Sequence, residues 1–90
     1  LHPELTAKGS GGSFYSQQEI RGLIRYAANH GIRIVPEFDL PGHTTALLAA
    51  RPDLASGPPP NAPETGFGIF DAALDPSNEK VYEFLDSFLG

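Results

Sequence analysis

Two carboxylates and an imidazole, Glu37, Asp39 and His43, fall within the run GIRIVPEFDLPGH that spans Gly31 to His43. An imidazole that can donate and accept a proton near neutral pH, set beside carboxylates, is the side-chain set of general acid–base work. Each residue also has an ordinary structural use. Glu37 and Arg33 are two positions apart and would share a face of a strand, so they can pair with each other. Asp39 can cap the following turn by Asx-type hydrogen bonding. His43, directly after Pro41-Gly42, can be a turn residue. Two carboxylates and one histidine would also suit a hard cation, but their spacing across a Pro-Gly turn is weak evidence for one. No metal and no cofactor is assigned.

The elements that must position these residues follow from periodicity and punctuation. Residues 1–15, with KGSGGS at the centre, read as a connector. Residues 16–30 read as a helix: Ser16 and Glu19 have capping-box spacing, and Ile20, Leu23, Ile24 and Ala27 recur along one stripe. Gly31 is placed to stop that helix in a left-handed conformation. Residues 32–38 read as a buried strand, with Ile32, Ile34, Pro36 and Phe38 on one face and Arg33, Val35, Glu37 and Asp39 on the other. Residues 39–75 read as a long loop holding a short helix at 44–50, because SGPPPNAPETGFG is too rich in Pro and Gly for regular structure. A last helix is expected over 76–90, with Asp75 as N-cap, Pro76 at its first position, and an apolar stripe of Val81, Phe84, Leu85, Phe88 and Leu89. His2 and His30 read as solvent-exposed, and Phe67, Phe70 and Tyr82 as packing residues.

Composition narrows the function classes. A chain of 90 residues is at most one domain. It carries 6 basic and 11 acidic side chains for a net charge of -5, with no Lys/Arg cluster, which argues against a nucleic-acid partner. No run is apolar and long enough to span a bilayer, and residues 1–10 lack the layout of a signal peptide, so no membrane partner is expected. With no Cys there is neither a disulfide framework nor a thiolate metal site, and localisation stays open. A single strand cannot satisfy its own backbone, so the expected strand needs neighbours from elsewhere.

The stretch YSQQEIRGLIRYAANHGIRIVPEFDLPGHTTALLAARPDL, then a Gly/Pro-rich loop, then FGIFDAALDPSNEKVYEFLDSFLG, resembles the interior of the catalytic domain of glycoside hydrolase family 20, the β-N-acetylhexosaminidases. Its most specific element is EFDLPGH. The resemblance implies an α/β fold, a fragment of a (β/α)8 TIM barrel, in which the helix, strand and last helix are the second barrel helix, third strand and third helix. Glu37, Asp39 and His43 would then lie at the C-terminal rim of that strand, where barrel enzymes keep their chemistry.

The resemblance also implies the reaction. In this family the 2-acetamido oxygen of the substrate attacks the anomeric carbon, an Asp orients it, and a neighbouring Glu protonates the leaving oxygen. His43 matches the family histidine that hydrogen-bonds toward that acid. The Asp-Glu pair belongs to the fourth strand; no Asp-Glu dipeptide occurs in the 90 residues, and the histidine's second-strand Asp partner is also lacking. The expected partners are N-acetylhexosamine-containing glycans for the parent enzyme, and further copies of the chain for the isolated fragment, which is expected to be inactive. Two alternatives compete. One is a segment of an α-amylase-type barrel hydrolase, in which Asn-His would be favoured over Gly42-His43. The other is a small non-catalytic module that self-associates.

Overall fold

The computed structural model describes residues 2–90. Their order is α1 (Pro3–Gly9), α2 (Gln17–Asn29), α3 (Thr45–Ala50), a 3-10 turn (Pro52–Leu54) and α4 (Glu79–Leu89).

Local signals fix α2. The Ser16 hydroxyl accepts the Glu19 N–H at 3.2 Å while the Glu19 carboxylate accepts the Ser16 N–H at 2.7 Å, so two orphan donors are satisfied reciprocally. The Ser16 backbone N–H, and after it the Ser16 side chain, hold the Glu19 carboxyl below its usual range. At the other end Gly31 takes φ 71. Its N–H bonds the Ala28 carbonyl at 3.0 Å and the Ile32 N–H bonds the Ala27 carbonyl at 2.9 Å, the paired closure that a glycine beyond the C-cap permits.

The core, however, is not built on α2. Leu48, Leu54, Leu74, Val81 and Phe84 form the buried cluster, with Leu5, Leu40 and Leu85 packed around it. α1 crosses α3, and the 3-10 turn touches α3 and α4, whereas α2 packs on none of these among the described residues. Ala27 alone of the α2 stripe is buried; Ile20, Leu23 and Ile24 are exposed. The apolar centre is therefore supplied by α3, the 3-10 turn, Leu74 and α4, and the amphipathic helix α2 has an open face.

The expected strand over 32–38 does not form. Among the described residues there is no strand, only an isolated antiparallel bridge between Ala55 and Leu74. The physical reason is that a strand exists through ladder hydrogen bonds to a neighbour, and these residues meet none. Ile32, Ile34, Val35 and Phe38 stay exposed in consequence. Phe38 still meets α4, its ring 5.7 Å from Phe88 and nearly perpendicular to it.

Three further expectations are corrected. Residues 3–9, read as connector, form α1, whose His2 is half-buried: its ring bonds Ser87 Oγ at 3.0 Å and lies 4.9 Å from Phe84. α4 starts at Glu79 rather than at Pro76. Asp75 instead takes the hydroxyl and N–H of Ser77, and these bonds hold its carboxyl low. Asn78 is the N-cap, accepting the Lys80 N–H at 3.1 Å and donating its own amide to the Asp53 carbonyl at 2.9 Å. Finally, Phe67, Phe70 and Tyr82 are exposed rather than packed.

A charged clamp joins α1 to the 3-10 turn. Arg51 forks onto Asp53 with two bonds of 2.9 Å, approaches Glu4 at 3.7 Å and lies 5.3 Å from the Phe84 ring centre. Arg51 lowers the Asp53 carboxyl, and Asp53 raises the Arg51 guanidinium. The pair is partly wet, so such a clamp is worth about 0.2–1 kcal/mol.

Candidate functional site

The turn that carries His43 is pinned from both sides. Buried Thr44 donates its hydroxyl to the Pro41 carbonyl at 3.1 Å and lies 3.4 Å from the Ala72 carbonyl; the Leu74 N–H donates to the same Pro41 carbonyl at 3.0 Å. The Thr44 carbonyl then accepts the Leu48 N–H at 2.8 Å and so starts α3. The turn contains a cis Leu40-Pro41 peptide bond, and His43 sits at φ 54, the only non-glycine with positive φ among the described residues. A left-handed conformation costs an L-residue about 1–2 kcal/mol, and the bonds on either side are what hold it there.

His43 and Asp39 meet. The Nδ1–H of the ring donates to Asp39 Oδ2, four positions earlier, and both side chains are exposed. This bond fixes the tautomer: with the proton on Nδ1, the neutral ring presents Nε2 as an acceptor. Asp39 thus faces the imidazole rather than capping the turn. Glu37 is exposed and forms no ion pair with Arg33 among the described residues. Of the three residues singled out from sequence, two are brought together and the third stands apart. No set of three or more His, Cys, Asp or Glu side chains among the described residues is arranged to hold a metal ion.

His43 opens onto a cleft of about 430 Å³ whose opposite wall comes from residues 64–70. A larger concavity of about 680 Å³, lined by His2, Leu5, Phe14, Tyr15 and Phe88, includes none of Glu37, Asp39 or His43. Sequence marks these wall residues as loop, and Phe70 as packing, because nothing in Gly/Pro-rich composition tells which side of a turn faces an imidazole 20 or more positions earlier.

Residues 2–90 match glycosyl hydrolase family 20, catalytic domain. The chain belongs to that family. It superposes on the crystal structure of Flavobacterium johnsoniae chitobiase with a TM-score of 0.89 and 43% identity, covering 98% of this chain and 13% of that one. A second structure, of a β-N-acetylhexosaminidase, gives a TM-score of 0.83 at 30% identity over 97% of this chain and 21% of the other. Curated relatives agree: a Vibrio furnissii β-hexosaminidase is 38% identical over 79 residues, 87% of this chain. The Bos taurus β-hexosaminidase subunit alpha is 38% identical over 93 residues, 96% of this chain. The chain spans only 13% and 16% of the lengths of these two relatives, so it corresponds to part of the family's TIM-barrel domain. Family membership replaces the α-amylase-type alternative.

Proposed function

We propose that this family 20 chain is a segment of a β-N-acetylhexosaminidase that removes terminal N-acetylhexosamine by the substrate-assisted retaining route, with His43 as a positioning residue for the general acid. The observation that carries this is the His43–Asp39 pair at the mouth of the cleft. Asp39 sets the proton on Nδ1, so Nε2 is available to accept a hydrogen bond on the side where the leaving oxygen's proton donor would stand. Asp39 therefore acts through His43, and Glu37 contributes charge to the same rim. In the complete reaction the acetamido oxygen bonds to the anomeric carbon, the glycosidic bond breaks, and its oxygen takes the acid's proton; water then reopens the cyclic intermediate to give a retained product. The Asp-Glu pair needed for those steps is not among these 90 residues, so the chain alone is inactive.

The test is a graft of residues 2–90 into F. johnsoniae chitobiase in place of the matched segment, assayed on a chromogenic N-acetylglucosaminide. The graft is expected to turn over, the chain alone is not, and His43→Ala in the graft lowers kcat on the order of 10²-fold. Full activity in the His43→Ala graft overturns the role of His43. Turnover by the chain alone overturns the segment reading.

The exposed Ile20, Leu23 and Ile24 of α2, together with the exposed Ile34 and Val35 of the segment that follows, support a second element of the proposal, that isolated copies associate through apolar surface.

A further inference from the structure

His2 stands just before α1 and reaches across to α4. Only 16% of its side chain is exposed, and its ring lies edge-on to Phe84 at 4.9 Å and to Phe88 at 6.1 Å. Both ring nitrogens meet polar atoms: Nε2 is 3.0 Å from Ser87 Oγ, and Nδ1 is 3.4 Å from Glu4 Oε1. The same ring is a wall common to two cavities, the one of about 680 Å³ beside Phe14 and Tyr15 and another of about 360 Å³ beside Arg51 and Lys80.

The protons of this network can be counted. A serine hydroxyl has one proton to donate, and Ser87 donates it to the Phe84 carbonyl at 2.9 Å. Ser87 Oγ therefore accepts from the ring, and Nε2 carries a proton. A carboxylate has none to donate, so Nδ1 bonds Glu4 only when it carries a proton as well. A neutral imidazole has a single N–H; with that proton on Nε2, the Nδ1 lone pair would face the lone pairs of Glu4. Both contacts are satisfied together only by the imidazolium, whose bond to Glu4 is charge-assisted. Glu4 is a carboxylate in mild acid, because its own backbone N–H, followed by His2 and then Arg51, outweighs burial and holds its carboxyl below the usual range.

The remaining charges around the ring leave Glu4 as the one that decides. Arg51, at the end of α3 and 3.7 Å from Glu4, is forked onto Asp53 of the 3-10 turn, and Lys80 and Glu83 of α4, which line the smaller cavity, are of opposite sign. We propose that His2 is a proton-operated clasp, which docks the first turn of α1 on α4 while the imidazole is charged and releases it when the ring becomes neutral, opening the two cavities into each other. An imidazole ordinarily changes charge between about pH 5 and 8. The clasp is therefore closed in mild acid, where Glu4 is ionised and His2 protonated, and is lost as pH rises through that range. α1 keeps its crossing with α3 throughout, so helix content does not change with the release. None of this depends on the role proposed for His43.

The experiment follows the His2 ring nitrogens and the α4 amides by NMR of the 15N-labelled chain from about pH 5 to about pH 8. At the acid end both ring nitrogens are expected to show the shifts of an imidazolium, with ring contacts to Phe84 and Phe88. The amides of Phe84, Ser87 and Phe88 follow the loss of the proton in one step, and the ring contacts are lost with it, while helicity by circular dichroism stays constant. Glu4→Gln, whose amide N–H can donate to a neutral Nδ1, keeps the contacts up to the alkaline end. His2→Gln, which still donates to Ser87 but does not titrate, abolishes the step in the α4 amides. A step that survives in His2→Gln belongs to another group and overturns the proposal. Ring contacts that persist unchanged to the alkaline end in the unaltered chain, a neutral ring at the acid end, or an unaltered step in Glu4→Gln overturn it equally.

Discussion

Gly9 lies so close to Ala46 that a Cβ added to the glycine would fall 2.8 Å from the Ala46 carbonyl oxygen. The contact is backbone against α1, so neither partner can yield by rotating a side chain. Gly9→Ala is expected to destabilise the chain by about 1–3 kcal/mol in denaturant unfolding. Gly22, inside α2, has nothing within 4 Å of its Cβ position, so Gly22→Ala is expected to stabilise the helix by about 0.4–1 kcal/mol. Opposite signs from the same chemical change would establish that the α1–α3 crossing sets the first result.

His43 holds φ 54 at the edge of the cleft. His43→Gly removes the Cβ that makes this conformation costly, and the midpoint of urea unfolding is expected to rise by an amount equivalent to about 1 kcal/mol. The same substitution deletes the imidazole. A graft carrying His43→Gly would be more stable and less active, the exchange of stability for function seen where a strained residue does chemistry.

Acid should loosen the chain in a defined window. The carboxyls of Glu4, Glu19, Asp53 and Asp75 are all held below their usual values. The leading causes are the backbone N–H for Glu4, the Ser16 backbone for Glu19, Arg51 for Asp53 and the Ser77 hydroxyl for Asp75. A group that gives up its proton more readily when folded stabilises the fold above its unfolded value and loses that contribution as pH falls through its folded value. Helicity by circular dichroism is therefore expected to be flat above about pH 5 and to decline below about pH 4. Glu19→Gln should flatten part of that decline.

Two leucines locate the core. Leu48 is fully buried and Leu23 is 51% exposed. Leu48→Ala should cost about 2–5 kcal/mol, and Leu23→Ala within about 0.5 kcal/mol. If copies associate through the exposed α2 face as proposed, Leu23→Lys should instead lower the apparent mass in light scattering, because it charges that face. A monodisperse monomer of the unaltered chain at high concentration would rule that association out.

What was legible in the sequence depended on how far each signal reaches. The Ser16–Glu19 box and the Gly31 stop are read within a few residues and appear at those positions. The pairing of His43 with Asp39 spans four residues, and its ingredients were visible although its geometry was not. α1 was missed because its stability lies in the crossing with α3, and its N-cap makes no side-chain bond. At the start of α4, Asp75 and Asn78 both offer capping side chains. The choice went to Asn78, which also ties to Asp53, 25 positions away. The strand over 32–38 failed for the opposite reason: its pattern is intact, but a pattern of alternation states a preference that only a ladder partner can realise. The core was hidden because Leu48, Leu54 and Leu74 are distant in sequence and meet only in three dimensions.

Ala55 and Leu74 clasp the two roots of the long loop, with Ser56 N–H bonded to the Ala73 carbonyl at 2.9 Å and Asp75 N–H to the Leu54 carbonyl at 2.9 Å. Closing a loop costs little more when it is lengthened, since each doubling adds only about 0.6 kcal/mol. The segment between those roots is thus free to gain or lose residues without disturbing the leucines beneath it. A lineage could reshape the wall facing His43 while inheriting the scaffold unchanged.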